Sequence, residues 1–105
     1  MDLAGWRREN LPEFPPEGEP FRTVPDWVCE VLSAGNARYD QQTKAPFYAS
    51  VGVPWLWLVD TRSRLIEARR LMAGKWAVEC VFTDEPNARI PPFAAIEIPL
   101  HRLWV

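Results

Sequence analysis

The chain has 105 residues, a formal net charge of −2 and a 48% apolar fraction that includes six tryptophans. That length allows one domain with a single core, and that composition excludes a disordered tail. The acidic balance argues against tight nonspecific nucleic-acid binding through a basic surface, although an enzyme that recruits cations to an acidic site escapes this objection.

In chain order, Asp2 to Arg7 reads as a short strand at a sheet edge. Leu11-Pro12-Glu13-Phe14-Pro15-Pro16-Glu17-Gly18-Glu19-Pro20 is an extended loop, because each proline fixes φ and removes a donor. Asp26 to Leu32 runs almost without polar alternation, the pattern of a strand covered on both faces. Ser33-Ala34-Gly35-Asn36 is turn chemistry, with Asn36 as a helix cap. Ala37 to Ser50 has helical spacing that sets Tyr39, Thr43, Phe47 and neighbouring Tyr48 on or near one face, and Pro46 implies a bend or a later start. Val51 to Pro54 ends this helix.

Trp55 to Asp60 is the next apolar strand and belongs at the centre of the sheet. Thr61-Arg62-Ser63 is a polar turn. Arg64 to Met72 and Lys75 to Phe82 pair as a hairpin across Ala73-Gly74. Ile90-Pro91-Pro92-Phe93 through Leu103-Trp104 is proline-broken, with a short final strand or helix. This order predicts an α/β or α+β fold with a mixed sheet and a flanking helix, a single domain over residues 1–105. There is no basic region followed by an apolar run, hence no signal peptide, and no apolar stretch reaches the roughly 18 residues of a membrane span. A soluble cytoplasmic protein is expected.

The chemistry centres on Glu30, an acid flanked by Val28, Cys29, Val31 and Leu32. A carboxylate there needs a cation, a lysine or a ligand, or else forms a salt bridge at the strand end. Asp26 is not its metal partner: four strand residues span roughly 13 Å, whereas two ligands of one magnesium lie within about 5 Å. Asp2 is a better partner if its strand lies beside that of Glu30; otherwise it is a solvated terminus. Lys44, one turn after Asp40, is either half of a surface i,i+4 pair or an ammonium reaching the strand end to act on phosphate. Cys29 and Cys80 read as reduced thiols on strands. His101 reads as structural or surface, Arg62, Arg64, Arg69 and Arg70 as a solvated face, and Trp55 with Trp57 as core.

Several runs together resemble the Uma-two-type family of bacterial restriction endonucleases, a branch of the PD-(D/E)XK nuclease superfamily. They are Asp2-Leu3-Ala4-Gly5-Trp6-Arg7-Arg8-Glu9, Pro25-Asp26-Trp27-Val28-Cys29-Glu30-Val31-Leu32-Ser33, Tyr39-Asp40 with Lys44, Tyr48-Ala49-Ser50-Val51-Gly52-Val53-Pro54, Trp57-Leu58-Val59-Asp60 and Pro91-Pro92-Phe93. The resemblance implies a restriction-endonuclease-like mixed sheet and hydrolysis of DNA phosphodiesters dependent on Mg²⁺ or Mn²⁺. It makes Asp2 and Glu30 catalytic metal ligands and Lys44 the catalytic lysine, moved to the helix because Leu32 holds the usual position. Asp40 matches an acid in the same helix.

The chain departs from the family pattern in having Met1 where proline usually precedes the first aspartate, and Ser33-Ala34-Gly35-Asn36 for the usual turn. It also lacks the region that members carry before that aspartate, so an N-terminally truncated core is expected. The competing expectation is a catalytically inactive remnant that self-associates through uncovered sheet surface. A homo-oligomer is expected under either reading.

Overall fold

A computed structural model describes residues 2–104; Met1, the residue before the first aspartate, lies outside the described residues. The chain builds β1 (Leu3–Gly5), β2 (Trp27–Leu32), α1 (Ala37–Tyr39), a π-helical turn (Asp40–Lys44), α2 (Ala45–Val51), β3 (Trp55–Asp60), β4 (Leu65–Met72), β5 (Lys75–Phe82) and a short 3₁₀ turn (Leu100–Arg102). The strands form one sheet in the order β1-β2-β3-β4-β5. β2 and β3 are parallel, joined by the helical crossover, and the other pairs are antiparallel. This is the mixed sheet with a flanking helix that the element order predicts.

Alternation along β2 and β3 divides the core into two layers. Val28, Leu32, Leu56 and Leu58 face the helix and pack with Ala45, Tyr48 and Val53. Cys29, Trp57 and Val59 face the other way, where Ala88, Ile90 and Leu100 from the proline-broken tail cover them. Tryptophan N–H groups tie these layers down: Trp57 Nε1 donates to Pro91 O at 2.7 Å and Trp76 Nε1 to Ala45 O at 2.8 Å. Glu30 falls on the helix-facing side, two residues from Val28 and two from Leu32.

The β4–β5 connection is a two-residue loop, with Met72 paired to Lys75 and positive φ at both Ala73 (52°) and Gly74 (78°). Those angles give the primed turn whose twist matches a hairpin. The crossover ends at Gly52, whose φ of 87° lets its N–H reach back to Tyr48 O and Ala49 O.

The helix is continuous over the predicted stretch, but the aromatic residues expected on or near one face do not share one environment. Tyr39 and Phe47 are 56% and 59% exposed, while Asp40, Ala45 and Tyr48 are buried. The π turn is the physical reason. In an α-helix, at about 100° per residue, positions 40 and 45 stand about 140° apart around the axis. Here the Ala45 N–H bonds to Asp40 O, five residues back, and this wider turn keeps both residues against the sheet. Pro46 follows at the start of α2, where the missing N–H costs nothing. It has no N–H to give an α-helical bond to Gln42 O, and its ring would crowd that carbonyl.

Candidate active site

Four elements bring carboxylates and a lysine together around β2. Glu30 is 1% exposed and Asp40 fully buried. Tyr48, from α2, donates its hydroxyl proton to Glu30 Oε1. Lys44 Nζ, from the π turn, lies 3.1 Å from Asp40 Oδ1 and 3.6 Å from Glu30 Oε2. Asp40 Oδ2 has no hydrogen-bond donor among the described residues. The Asp40–Lys44 pair is therefore not the surface pair that i,i+4 spacing allows: it is turned inward, onto the strand.

Asp2 comes to the same place from the edge of the sheet. Its backbone N–H bonds to Cys29 O at 3.1 Å, and its Oδ2 accepts the Val31 N–H at 2.7 Å. Its carboxylate is thus fastened to the residue next to Glu30, on a side chain that remains exposed. Asp26 has another task. It accepts hydrogen bonds from Arg7 N at 2.7 Å and Asn10 Nδ2 at 2.8 Å, latching the long loop so that β1 lies along β2. Trp6 reinforces this latch by stacking on Phe21, with ring centroids 4.6 Å apart, and donating to Thr23 O.

The electrostatics are asymmetric. Among the described residues, a single ammonium, that of Lys44, is shared by two buried carboxylates, Glu30 and Asp40. The pKa of Lys44 is raised, first by its hydrogen bond to Asp40 and then by the Glu30 charge, with desolvation acting in the opposite sense. The Tyr48 phenol is pushed up by burial and by its bond to Glu30, with smaller contributions from Asp40 and Asp2. Burial also pushes the Cys29 thiol up to about 12, with Asp2 and Glu30 adding to the shift. No trio of His, Cys, Asp or Glu side chains converges as a ready ligand set among the described residues.

Cys29 and Cys80 are free thiols on strands. His101 is exposed on the 3₁₀ turn. Arg69 pairs with Glu67, and Arg70 lies over the Trp55 ring, 5.6 Å from its centroid. Trp57 belongs to the core, whereas Trp55 is only half-buried, in the wall of a cleft with Trp6, Trp27 and Phe93. Tyr48 carries no clear signal in the sequence, and Asp40 is marked only by the family resemblance. Tyr48 reads as one more aromatic on the helix, and Asp40 as half of a solvated pair. The one hint is the acid on an apolar strand, which obliges some donor to reach it.

The family described as "Uma2: Putative restriction endonuclease" matches residues 2–101. No curated protein matches the chain. Among solved structures, a "putative nuclease belonging to DUF820" from Anabaena variabilis ATCC 29413 superposes with a TM-score of 0.58 at 24% identity, over 77% of this chain. At that identity the likeness is one of fold. The chain spans 44% of the length of that nuclease.

Proposed function

The chain belongs to the Uma2 family of putative restriction endonucleases, and on that premise we propose that it is a metal-dependent endonuclease hydrolysing DNA phosphodiester bonds at Glu30, Asp2 and Lys44. The observation that carries this reading is the buried Glu30 facing Lys44, from a different element, at 3.6 Å. A carboxylate and an ammonium held together where the helical crossover packs on β2 are parts that phosphodiester hydrolysis needs.

The donor set suits a hard divalent cation. Glu30 and Asp2 offer carboxylate oxygens, and magnesium is commonly held by one or two carboxylates, with water and substrate phosphate completing its shell. When bound, magnesium or manganese would supply Lewis-acid polarisation of the phosphate and a more acidic water. Glu30 and Asp2 would hold it.

Lys44 is the electrostatic partner. Its raised pKa keeps it an ammonium at neutral pH, so it acts by stabilising negative charge on the phosphoryl oxygens and not as a base. Asp40 fixes where that ammonium points. No helix among the described residues is long and apolar enough to cross a membrane.

Supercoiled plasmid incubated with the protein tests the proposal. Nicking or linearisation with Mg²⁺ or Mn²⁺, abolished by EDTA, is the expected result. Cutting that is indifferent to chelation, or absent with either metal, speaks against it and for the inactive, self-associating reading.

A further inference from the structure

One buried group in this site has no part in the chemistry described so far: the phenol of Tyr48. Its side chain is 4% exposed and belongs to the helix-side core with Val28, Leu32, Val53, Leu56 and Leu58. A ring buried in a close-packed core has little freedom to reorient. Its hydroxyl is therefore a fixed donor, and the acceptor is Glu30 Oε1.

The consequence for Glu30 is a division of labour between its two oxygens. Oε1 is engaged by the phenol from the helix side, and Oε2 faces Lys44, whose side chain is 29% exposed. We propose that Tyr48 is a positioning residue that locks the Glu30 carboxylate in the orientation in which it would ligate a divalent cation. The inference rests on the metal-dependent reading above and deepens it.

Both alternatives for Tyr48 are visible in the fold. A purely structural tyrosine would act through its ring, which phenylalanine reproduces. A positioning tyrosine acts through its hydroxyl, which phenylalanine lacks. Hydrogen-bond partners of metal-ligating carboxylates and imidazoles typically account for about 10- to 100-fold in metal affinity or activity, so the two roles separate cleanly.

The test is calorimetric titration of Mn²⁺ into wild type, Tyr48→Phe and Glu30→Gln, with thermal unfolding run in parallel. Wild type binds, Glu30→Gln does not, and a folded Tyr48→Phe binds about 10-fold or more weakly. A folded Tyr48→Phe that binds as wild type does, while Glu30→Gln has lost binding, overturns this inference alone. Wild-type binding that is absent, or unchanged by Glu30→Gln, overturns the metal-dependent reading and this inference with it.

Should Tyr48→Phe not fold, wild type labelled with fluorotyrosine answers instead. The chain has two tyrosines, and a Tyr39→Phe variant identifies the Tyr48 resonance. Mg²⁺ is expected to shift that resonance with saturation; an unmoved Tyr48 signal at saturating Mg²⁺ contradicts the proposal.

Discussion

Asp40 and Lys44 form an ion pair at 3.1 Å in which the carboxylate is fully buried and the ammonium reaches partly into solvent. The pair joins the π turn to β2 because the same ammonium also faces Glu30. Its pH dependence follows from the direction of the lysine shift. A raised folded-state pKa means that the stabilisation is fully present below the ordinary lysine value, near 10.4, and is lost as pH rises through the folded value. Wild type should therefore melt well above Lys44→Met at pH 8, and the gap should shrink above about pH 10.5. A gap that does not change between pH 8 and 11.5 would count against the buried pair.

The π turn is itself a testable element. Gln42 is exposed and makes no hydrogen bond through its side chain among the described residues. Deleting it removes the extra residue of the wide turn and lets the segment close as an α-helix. Asp40 then rotates off the sheet, by about 100° at one residue of phase. The deletion variant is expected to keep its strand signature in circular dichroism and to lose plasmid cleavage. Retained cleavage would show that the phase of this helix does not matter.

Thiol chemistry reports on the packing beneath the site. Cys29 is 3% exposed with its thiol pushed up to about 12, so little thiolate exists at neutral pH. Cys80, on the edge strand, is half-buried with a smaller upward shift. A thiol reagent should label Cys80 first and Cys29 only at the rate of unfolding. Fast labelling of both in the native protein would mean that the tail carrying Ala88, Ile90 and Leu100 does not cover Cys29 as described.

Ala73 sits at a φ of 52° in the β4–β5 turn, where a residue with a Cβ is strained by about 1–2 kcal/mol. Asparagine tolerates that conformation and precedes glycine in the favoured primed turn. Ala73→Asn should stabilise the chain by roughly 1 kcal/mol, read as a higher urea midpoint with an unchanged slope. A lower midpoint would refute the turn assignment.

What the sequence makes legible here depends on range. β3 and the hairpin can be read directly, because unbroken apolar runs and an Ala-Gly turn are local signals. Glu30 is legible as an anomaly, since a charge among Val28, Cys29, Val31 and Leu32 demands a partner. Of its partners, Lys44 is named by the family resemblance, whereas the Tyr48 hydroxyl is not legible. The π turn shifts the helix phase, so helical spacing groups Tyr39 and Phe47 with Tyr48, which alone of the three is buried, and passes over Asp40. The tail that covers Cys29 and Trp57 is proline-broken and lacks any period, yet Ile90 and Leu100 are fully buried. Asp2 is named by the family resemblance, but its place beside Glu30 depends on β1 lying along β2, which no local signal in the sequence fixes.

The most direct measurement of the central claim compares wild type with Glu30→Gln on supercoiled plasmid at equal Mg²⁺. The substitution keeps the shape of the side chain and removes the charge that faces Lys44. The account predicts Mg²⁺-dependent cutting by wild type and a loss of about 100-fold or more in the variant, the order expected when a transition-state electrostatic contact is removed. Equal cutting by the two proteins, with both folded, would contradict it.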